Sequence, residues 1–239
     1  PAATDRGAGG GAGMTEAART LESHGWWLAS RASGVVALIL VTVSVTIGLA
    51  MAGKVLRVPG LSRKLMAVHE QTALAGLIAI SVHAITLLGD PFLDPGVAGV
   101  TVPFAMDFET LFTGLGVIAA YLALLLGLSY YVRRRIGTKA WRKAHQATVL
   151  VYVLGLVHTL GAGTDTSAVW FRWWVMATTP IVGGLFVYRV LEGRAKVKAK
   201  AAKAREGAAA PQGEPAKPRQ APRPKPRQGL TARPAMEDG

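Results

Sequence analysis

Two stretches, HEQTALAGLIAISVH (residues 69–83) and HQATVLVYVLGLVH (residues 145–158), begin and end on histidine and are otherwise mostly apolar. Each lies in a segment long enough to cross a membrane. An imidazole inside a bilayer is costly and rare unless the protein uses it. Four such histidines, arranged as two pairs on two apolar segments, therefore predict both the fold class and the site.

Membrane-length apolar segments recur along the chain. Residues 32–52 (ASGVVALILVTVSVTIGLAMA) carry no charge and are long enough for a hydrocarbon core of about 30 Å at about 1.5 Å per residue. Similar stretches occupy residues 66–88, 110–132, 145–162 and 172–191. We therefore predict an all-α integral membrane bundle of five transmembrane helices.

The two ends differ in composition from this core. Residues 1–25 begin Gly/Ala-rich and predict a disordered or interfacial segment, and residues 26–193 form the predicted transmembrane domain. Residues 194–239 are basic and then Pro-rich, which predicts a disordered tail. Its Lys and Arg residues are expected to attract anionic membrane lipid. Nucleic acid is not an expected partner, because no aromatic residue is interleaved to stack on bases.

Cysteine is absent from the chain. Disulfides, thiolate metal sites, Cys-ligated iron–sulfur clusters and CxxCH haem attachment are therefore excluded. Any haem in this protein would be held by coordination and packing.

Loop charges predict the orientation in the membrane. The loops at 54–64, 133–143 and 194–200 are rich in Lys and Arg, whereas the loop at 89–109 has only acidic charges and 161–171 has Asp165. Since positive loops stay in the cytoplasm, we predict a multi-pass protein of the cytoplasmic membrane, with the N-terminus outside and the C-terminus inside.

Histidine spacing predicts two sites at different depths. His69 and His83 are separated by about 21 Å of helix rise and leave nearly the same face. His145 and His158 are separated by about 19.5 Å, but they are about 140° out of register in an ideal helix. A bulge, a kink near Gly155 or different ring rotamers would have to compensate.

The simplest chemistry for these pairs is axial bis-histidine ligation of two b-type haems, with iron as the metal. Zinc is disfavoured, because its ligands cluster in one site with short spacings such as HExxH. The alternative is a haem-free membrane scaffold or small transporter that uses buried histidines as proton or ligand sites. An optical spectrum distinguishes the two classes.

Cations and aromatic residues surround the predicted sites. Haem propionates need cationic partners, and Arg31 lies at about the depth of the outer haem. Arg63, Lys64, Arg142 and Lys143 flank the inner pair, but an ordinary positive-inside role explains them equally well. Tyr152 is expected to pack in the core. An aromatic belt at the outer membrane boundary is predicted for Trp26, Trp27, Trp170, Trp173 and Trp174.

The H-x13-H and H-x12-H motifs, together with WLASRASGVVALILVTVSVTIGLA (27–50) and HTLGAGTDT (158–166), resemble the ferric reductase-like transmembrane family. That family includes the haem subunit of bacterial methionine sulfoxide reductase systems and the membrane core of NADPH oxidases. The resemblance covers about residues 26–190. It implies an inner haem held by His69 and His145 and an outer haem held by His83 and His158, and the predicted topology supports the same pairing.

The resemblance implies a cytochrome b-type subunit that passes electrons across the cytoplasmic membrane to ferric iron or an extracytoplasmic partner reductase. Its relatives often have six core helices, and several add a flavin and nicotinamide domain. Neither a flavin motif nor a dinucleotide fingerprint occurs in residues 194–239, so this chain is expected to bind no flavin or NAD(P). The expected donor is a separate flavin reductase or quinol. The sequence does not define the substrate or the oligomeric state.

Overall fold

The computed structural model describes residues 8–55 and 59–209, with side chains described for residues 24–55 and 59–206. All regular secondary structure in these ranges is helical, which confirms the predicted all-α class. The helices are α1 (Ala8–Ala52), α2 (Leu61–Leu87), α3 (Gly96–Thr101), α4 (Thr110–Ile136), α5 (Thr138–His145), α6 (Thr148–Ala162) and α7 (Val169–Ala209).

Five helical segments are long and apolar enough to cross a membrane, as predicted. Their bounds are His24–Ala52, Leu61–Leu87, Thr110–Ile136, Thr138–Ala162 and Val169–Glu206. The fourth begins seven residues before His145, because α5 precedes α6 in the same span. This protein is therefore a multi-pass membrane protein.

The first four spans form two helix pairs. Helix α1 packs most extensively along α2, and α4 packs along α6, whereas contacts between α1 and α6 and between α2 and α4 are fewer. The two pairs therefore face each other across a looser interface. The four histidines lie at this interface, two on α2 and two on the span formed by α5 and α6.

An apolar cluster fills the middle of this interface. Ala123 and Leu126 of α4 and Val151 of α6 are buried there, and Val41 of α1 and Leu77 of α2 pack against them. A second cluster joins α1, α6 and α7 through Val45, Leu49, Tyr152, Leu156 and Val182. Tyr152 is buried in this cluster and its hydroxyl hydrogen-bonds Thr179 Oγ1 at 3.1 Å, so the expected core-packing role is confirmed.

The chain divides into two units, Pro1–Ala195 and Lys196–Gly239, and the histidines lie in the first. The predicted segment 1–25 includes the first turns of α1, which starts at Ala8. The predicted tail 194–239 includes the last turns of α7, which ends at Ala209, and residues 210–239 lie outside the described part of the chain.

Candidate functional site

The four histidines form two pairs of crossed imidazole rings. The imidazole centroids of His69 and His145, called the inner pair after their predicted position, are 6.2 Å apart, and their planes cross at 87°. The centroids of His83 and His158, the outer pair, are 6.3 Å apart, and their planes cross at 69°. The structure therefore brings together the same partners that the sequence predicted.

A break in the fourth span partly corrects its helical register. Helix α5 ends at His145 and α6 begins at Thr148. The amides of Gln146 and Ala147 donate to carbonyls three residues back, at 3.3 and 2.9 Å, as in a 3₁₀ turn. Tighter winding adds rotation per residue, which removes part of the predicted angular mismatch. Of the three predicted remedies, a local break occurs, but it follows His145 and α6 continues through Gly155.

Helix α1 supports both histidines of α2 in the same way. Nδ1 of His83 donates to the carbonyl of Ser30 at 2.7 Å, and Nδ1 of His69 donates to the carbonyl of Ser44 at 2.8 Å. Four residues after each serine there is a glycine. Cβ atoms built on Gly34 and Gly48 would lie 3.1 Å from the rings of His83 and His69, respectively.

Each imidazole of α2 therefore rests on a small cradle of α1, formed by a backbone carbonyl and the glycine four residues later. The glycine leaves room for the ring, because a Cβ atom at this distance would force the imidazole to shift by a few tenths of an ångström. The hydrogen bond assigns the proton to Nδ1, so that Nε2 is the nitrogen free to coordinate a metal.

Helix α4 provides a third cradle of the same form. Nδ1 of His158 donates to the carbonyl of Phe112 at 2.9 Å, and a Cβ atom on Gly116 would lie 2.5 Å from that nitrogen. His145 differs from the other three, because its Nδ1 is buried and forms no hydrogen bond with the described residues. The indole of Trp141 instead stacks on the ring of His145, with centroids 4.8 Å apart and planes at 23°.

A cavity of about 390 Å³ opens beside the outer pair. Both outer histidines line it, together with Gly34, Gly116 and the Arg31–Asp165 ion pair. Apolar residues form most of the remaining wall, among them Val35, Leu38, Ile80, Leu87, Val117 and Met106. A cavity of this character suits a flat, mostly apolar ligand with a few polar groups.

Arg31 and Asp165 close the polar edge of this cavity. Arg31 Nε donates to Asp165 Oδ2 at 2.8 Å, and a second guanidinium nitrogen contacts Oδ1. The hydrogen bond from Arg31 holds the pKa of the Asp165 carboxyl below its ordinary value, although burial opposes this shift. The guanidinium also lies 5.1 Å from the ring of Trp27. The predicted outer cation is thus at the cavity, with a carboxylate partner that sequence reasoning missed.

The other predicted cations lie at the opposite end of the histidine-bearing helices. Arg63, Lys64, Arg142 and Lys143 are all exposed there. Their exposure is compatible with either predicted role, as partners of an anionic group or as ordinary cytoplasmic-side charges.

Geometry and donor chemistry fit a group with two axial ligands. A metal that binds two opposed imidazoles, each through a nitrogen at about 2.0 Å, separates the ring centroids by about 6 Å. Both observed separations agree with this value. Groups of three or more His, Cys, Asp or Glu side chains that could enclose a metal ion do not occur among the described residues. The pairs therefore suit haem iron better than zinc.

The sequence analysis did not predict the α1 cradles or the stacking of Trp141 on His145, although the sequence contains a pattern for each. The motif S-x-x-x-G occurs at residues 30–34 and 44–48, with the same interval of fourteen residues that separates His69 from His83. Trp141 precedes His145 by four residues, which places both on one helix face. A search for small residues at the histidine interval would have found the α1 cradles.

Comparison with known proteins identifies the family of this chain. Residues 33–156 match the family model described as ferric reductase like transmembrane component. The match spans more than half of the chain, and the chain belongs to this family. No curated protein and no solved structure shows significant similarity. Family membership indicates a role in membrane electron transfer.

Proposed function

We propose that this protein is a di-haem b-type electron-transfer protein that passes electrons across the cytoplasmic membrane. One observation carries the proposal above all others: two imidazole pairs, each about 6 Å between centroids, lie at two depths of the same helix interface. His69 and His145 would bind the inner haem, and His83 and His158 the outer haem. No flavin or NAD(P) is assigned to this chain.

The residues around each pair suit electron transfer rather than oxygen binding. Haem iron with two imidazole ligands exchanges single electrons and has no open coordination position. The carbonyls of Ser30, Ser44 and Phe112 keep the proton on Nδ1 of their histidines, which raises the basicity of the coordinating nitrogen. The glycines leave room for these contacts. Apolar residues between the two depths exclude water from the path.

The distribution of charge among the loops supports a direction of electron transfer between the two histidine pairs. With basic loops in the cytoplasm, the inner pair receives electrons from a separate flavin reductase or from quinol. The outer pair, whose cavity carries Arg31 and Asp165, delivers them to ferric iron or to an extracytoplasmic partner reductase. Arg31 is the proposed cation for an outer propionate, and Arg63 and Arg142 are the proposed cations near the inner haem.

Optical spectroscopy of the purified protein tests the proposal. We expect b-type absorbance after reduction with dithionite, two haems per chain by pyridine haemochrome, and no rapid reduction by NADPH alone. His83→Ala and His158→Ala should each remove the outer haem, and His69→Ala and His145→Ala the inner haem. His24→Ala is the matched control, because His24 belongs to neither pair, and it should retain both.

A colourless, folded protein from haem-replete cells would refute the proposal and favour a scaffold or transporter with buried histidines. Loss of both haems in the His24→Ala variant would remove the assignment to the two pairs. Rapid reduction of the isolated chain by NADPH would contradict the need for a separate donor.

A further inference from the structure

Helix α4 also contains a fourth position equivalent to the cradles, but it has no glycine. Phe112 supplies the carbonyl that binds His158, and Gly116 supplies the space. Fourteen residues further on, the corresponding positions are Leu126 and Tyr130. The glycine of the other three cradles is thus replaced by a tyrosine at the helix that faces His145.

This replacement accounts for the unusual surroundings of His145. The Leu126 carbonyl accepts a hydrogen bond from Ser129 Oγ at 2.7 Å, and Nδ1 of His145 is left buried without a hydrogen-bond partner among the described residues. A cradle whose glycine has become a bulky residue cannot let the imidazole approach the carbonyl closely. His145 therefore lacks the contact that orients His69, His83 and His158.

Trp141 holds the ring in place of the missing hydrogen bond. Its indole stacks on His145, while its Nε1 donates to Ser129 Oγ of α4 at 3.0 Å. The ring of Tyr130 packs edge-on against the same indole, with centroids 6.0 Å apart. The indole is therefore fixed on two sides by α4, and it transmits that restraint to the histidine.

Building on the proposed function, we propose that Trp141 is the positioning residue of the inner ligand His145, and that the bond from His145 is the more easily displaced of the four. A stacked aromatic ring resists tilting, but it does not fix rotation within the plane of the imidazole or the position of the proton. A directional hydrogen bond from Nδ1 does both. Of the four histidines, His145 would therefore be the first to yield its place to an added ligand when its support is weakened.

Carbon monoxide is the probe, because it binds reduced haem only where an axial ligand leaves. We expect Trp141→Ala to retain both haems and to make one haem in two reactive to carbon monoxide after dithionite reduction. Trp141→Phe keeps the stacking, and Ser129→Ala removes the hydrogen bond of the indole together with the hydroxyl that donates to the Leu126 carbonyl. Both should give smaller reactive fractions. Trp173→Ala is the matched control, since this tryptophan of α7 is 66% exposed.

Tyr130→Gly tests the same inference in the opposite direction. We make this substitution in the Trp141→Ala background, where the contact between Tyr130 and Trp141 is already absent. Restoring the glycine lets His145 approach the carbonyl of Leu126, so we expect less displacement of the inner ligand by carbon monoxide or by added cyanide than in Trp141→Ala alone. Tyr131→Gly is the control, because it introduces the same flexibility at the neighbouring residue, which is 62% exposed.

The outcomes separate this inference from the proposed function. Absence of haem from the unaltered protein overturns the proposed function. Two haems that stay unreactive to carbon monoxide in Trp141→Ala overturn the inference and leave the proposed function standing. Where Trp141→Ala does not fold, the decision passes to Trp141→Phe and Ser129→Ala. Reactivity of the outer haem in those variants, identified by its loss in His83→Ala, also overturns the inference.

Discussion

A Cβ atom on Gly116 would lie 2.5 Å from Nδ1 of His158, closer than any other glycine position comes to a histidine among the described residues. Helices α4 and α6 thus approach each other so closely that a single methyl group would displace the ring. The corresponding approach of α1 to His83, at Gly34, is 3.1 Å and leaves slightly more room.

Gly116→Ala is therefore expected to lower the occupancy of the outer haem and spare the inner one. The added methyl group pushes His158 away from the Phe112 carbonyl, and overpacking of this kind typically costs about 1–3 kcal/mol. Gly34→Ala should have the same effect in a weaker form. The haem-to-protein ratio by pyridine haemochrome measures both.

Gly183→Ala is the control for these substitutions, because a Cβ atom there meets no other atom within 4 Å. Alanine favours a helix interior over glycine by about 1 kcal/mol, so helix propensity cannot explain a loss of haem. Full occupancy in Gly116→Ala would contradict the role of the cradle.

Ser44 and Ser30 allow a matched comparison of potentials. Nδ1 of His69 contacts both the carbonyl and the hydroxyl of Ser44, at 2.8 and 3.1 Å, whereas the hydroxyl of Ser30 donates to the Trp27 carbonyl instead. Removing an acceptor from Nδ1 makes the ligand less basic and destabilises ferric iron. Ser44→Ala should therefore raise the inner potential.

The size of this shift follows from the hydrogen bond. A net contribution of about 1 kcal/mol corresponds to about 40 mV for one electron, which is an upper bound for a shared contact. Spectroelectrochemical titration should show the inner component shifted upward in Ser44→Ala, and Ser30→Ala should match the unaltered protein. Equal shifts in both variants would mean that the hydroxyl of Ser44 has no specific role.

The crossed imidazole planes predict the magnetic signature of the ferric protein. Axial ligands are one of the means by which a protein tunes haem iron, and crossed planes leave two iron d orbitals nearly equal in energy. We expect two low-spin signals with a large maximal g value in electron paramagnetic resonance. The inner signal should have the larger value, because its planes cross at 87° rather than 69°.

His83→Ala assigns these signals, since it should remove the one with the smaller maximal g value. Two rhombic signals, which are typical of parallel ligand planes, would contradict the observed ring orientations.

Hydropathy predicted most of the fold, and the family resemblance, supported by the loop-charge topology, predicted the partners within each histidine pair. Helix length, loop charge and the interval between His69 and His83 are local properties that can be read directly from the order of residues. The register of the fourth span could not be predicted, because the break after His145 depends on how α5 packs against α4. Ideal-helix geometry placed His145 and His158 out of angular register because it did not include the turn between α5 and α6.

The supports of the histidines were also beyond the prediction, for a different reason. Ser30, Ser44 and Phe112 accept hydrogen bonds from the histidines through their backbone carbonyls. Every residue has a carbonyl, so the identity of these side chains does not indicate the hydrogen bond. Only the accompanying glycines can be recognised in the sequence. The partnership of Arg31 with Asp165 joins residues far apart in the chain, and charge sign alone does not select the partner.

The ion pair between Arg31 and Asp165 predicts the behaviour of the outer end in acid. Because the pKa of Asp165 is lowered in the folded protein, the pair contributes its full stabilisation above the ordinary carboxyl pKa of about 4. The contribution is lost as the pH falls through the lowered value. Between pH 5 and pH 8 it should therefore be constant.

Asp165→Asn should lower the thermal unfolding midpoint at neutral pH, because it removes the charge that ties α1 to the segment between α6 and α7. The difference between the variant and the unaltered protein should shrink below about pH 4 and vanish once Asp165 is protonated. Unfolding followed by haem absorbance in one detergent, from pH 3 to pH 8, measures this. Asp94→Asn is the control, since Asp94 is exposed. A difference that persists unchanged at pH 3 would show that the carboxylate charge does not provide the restraint.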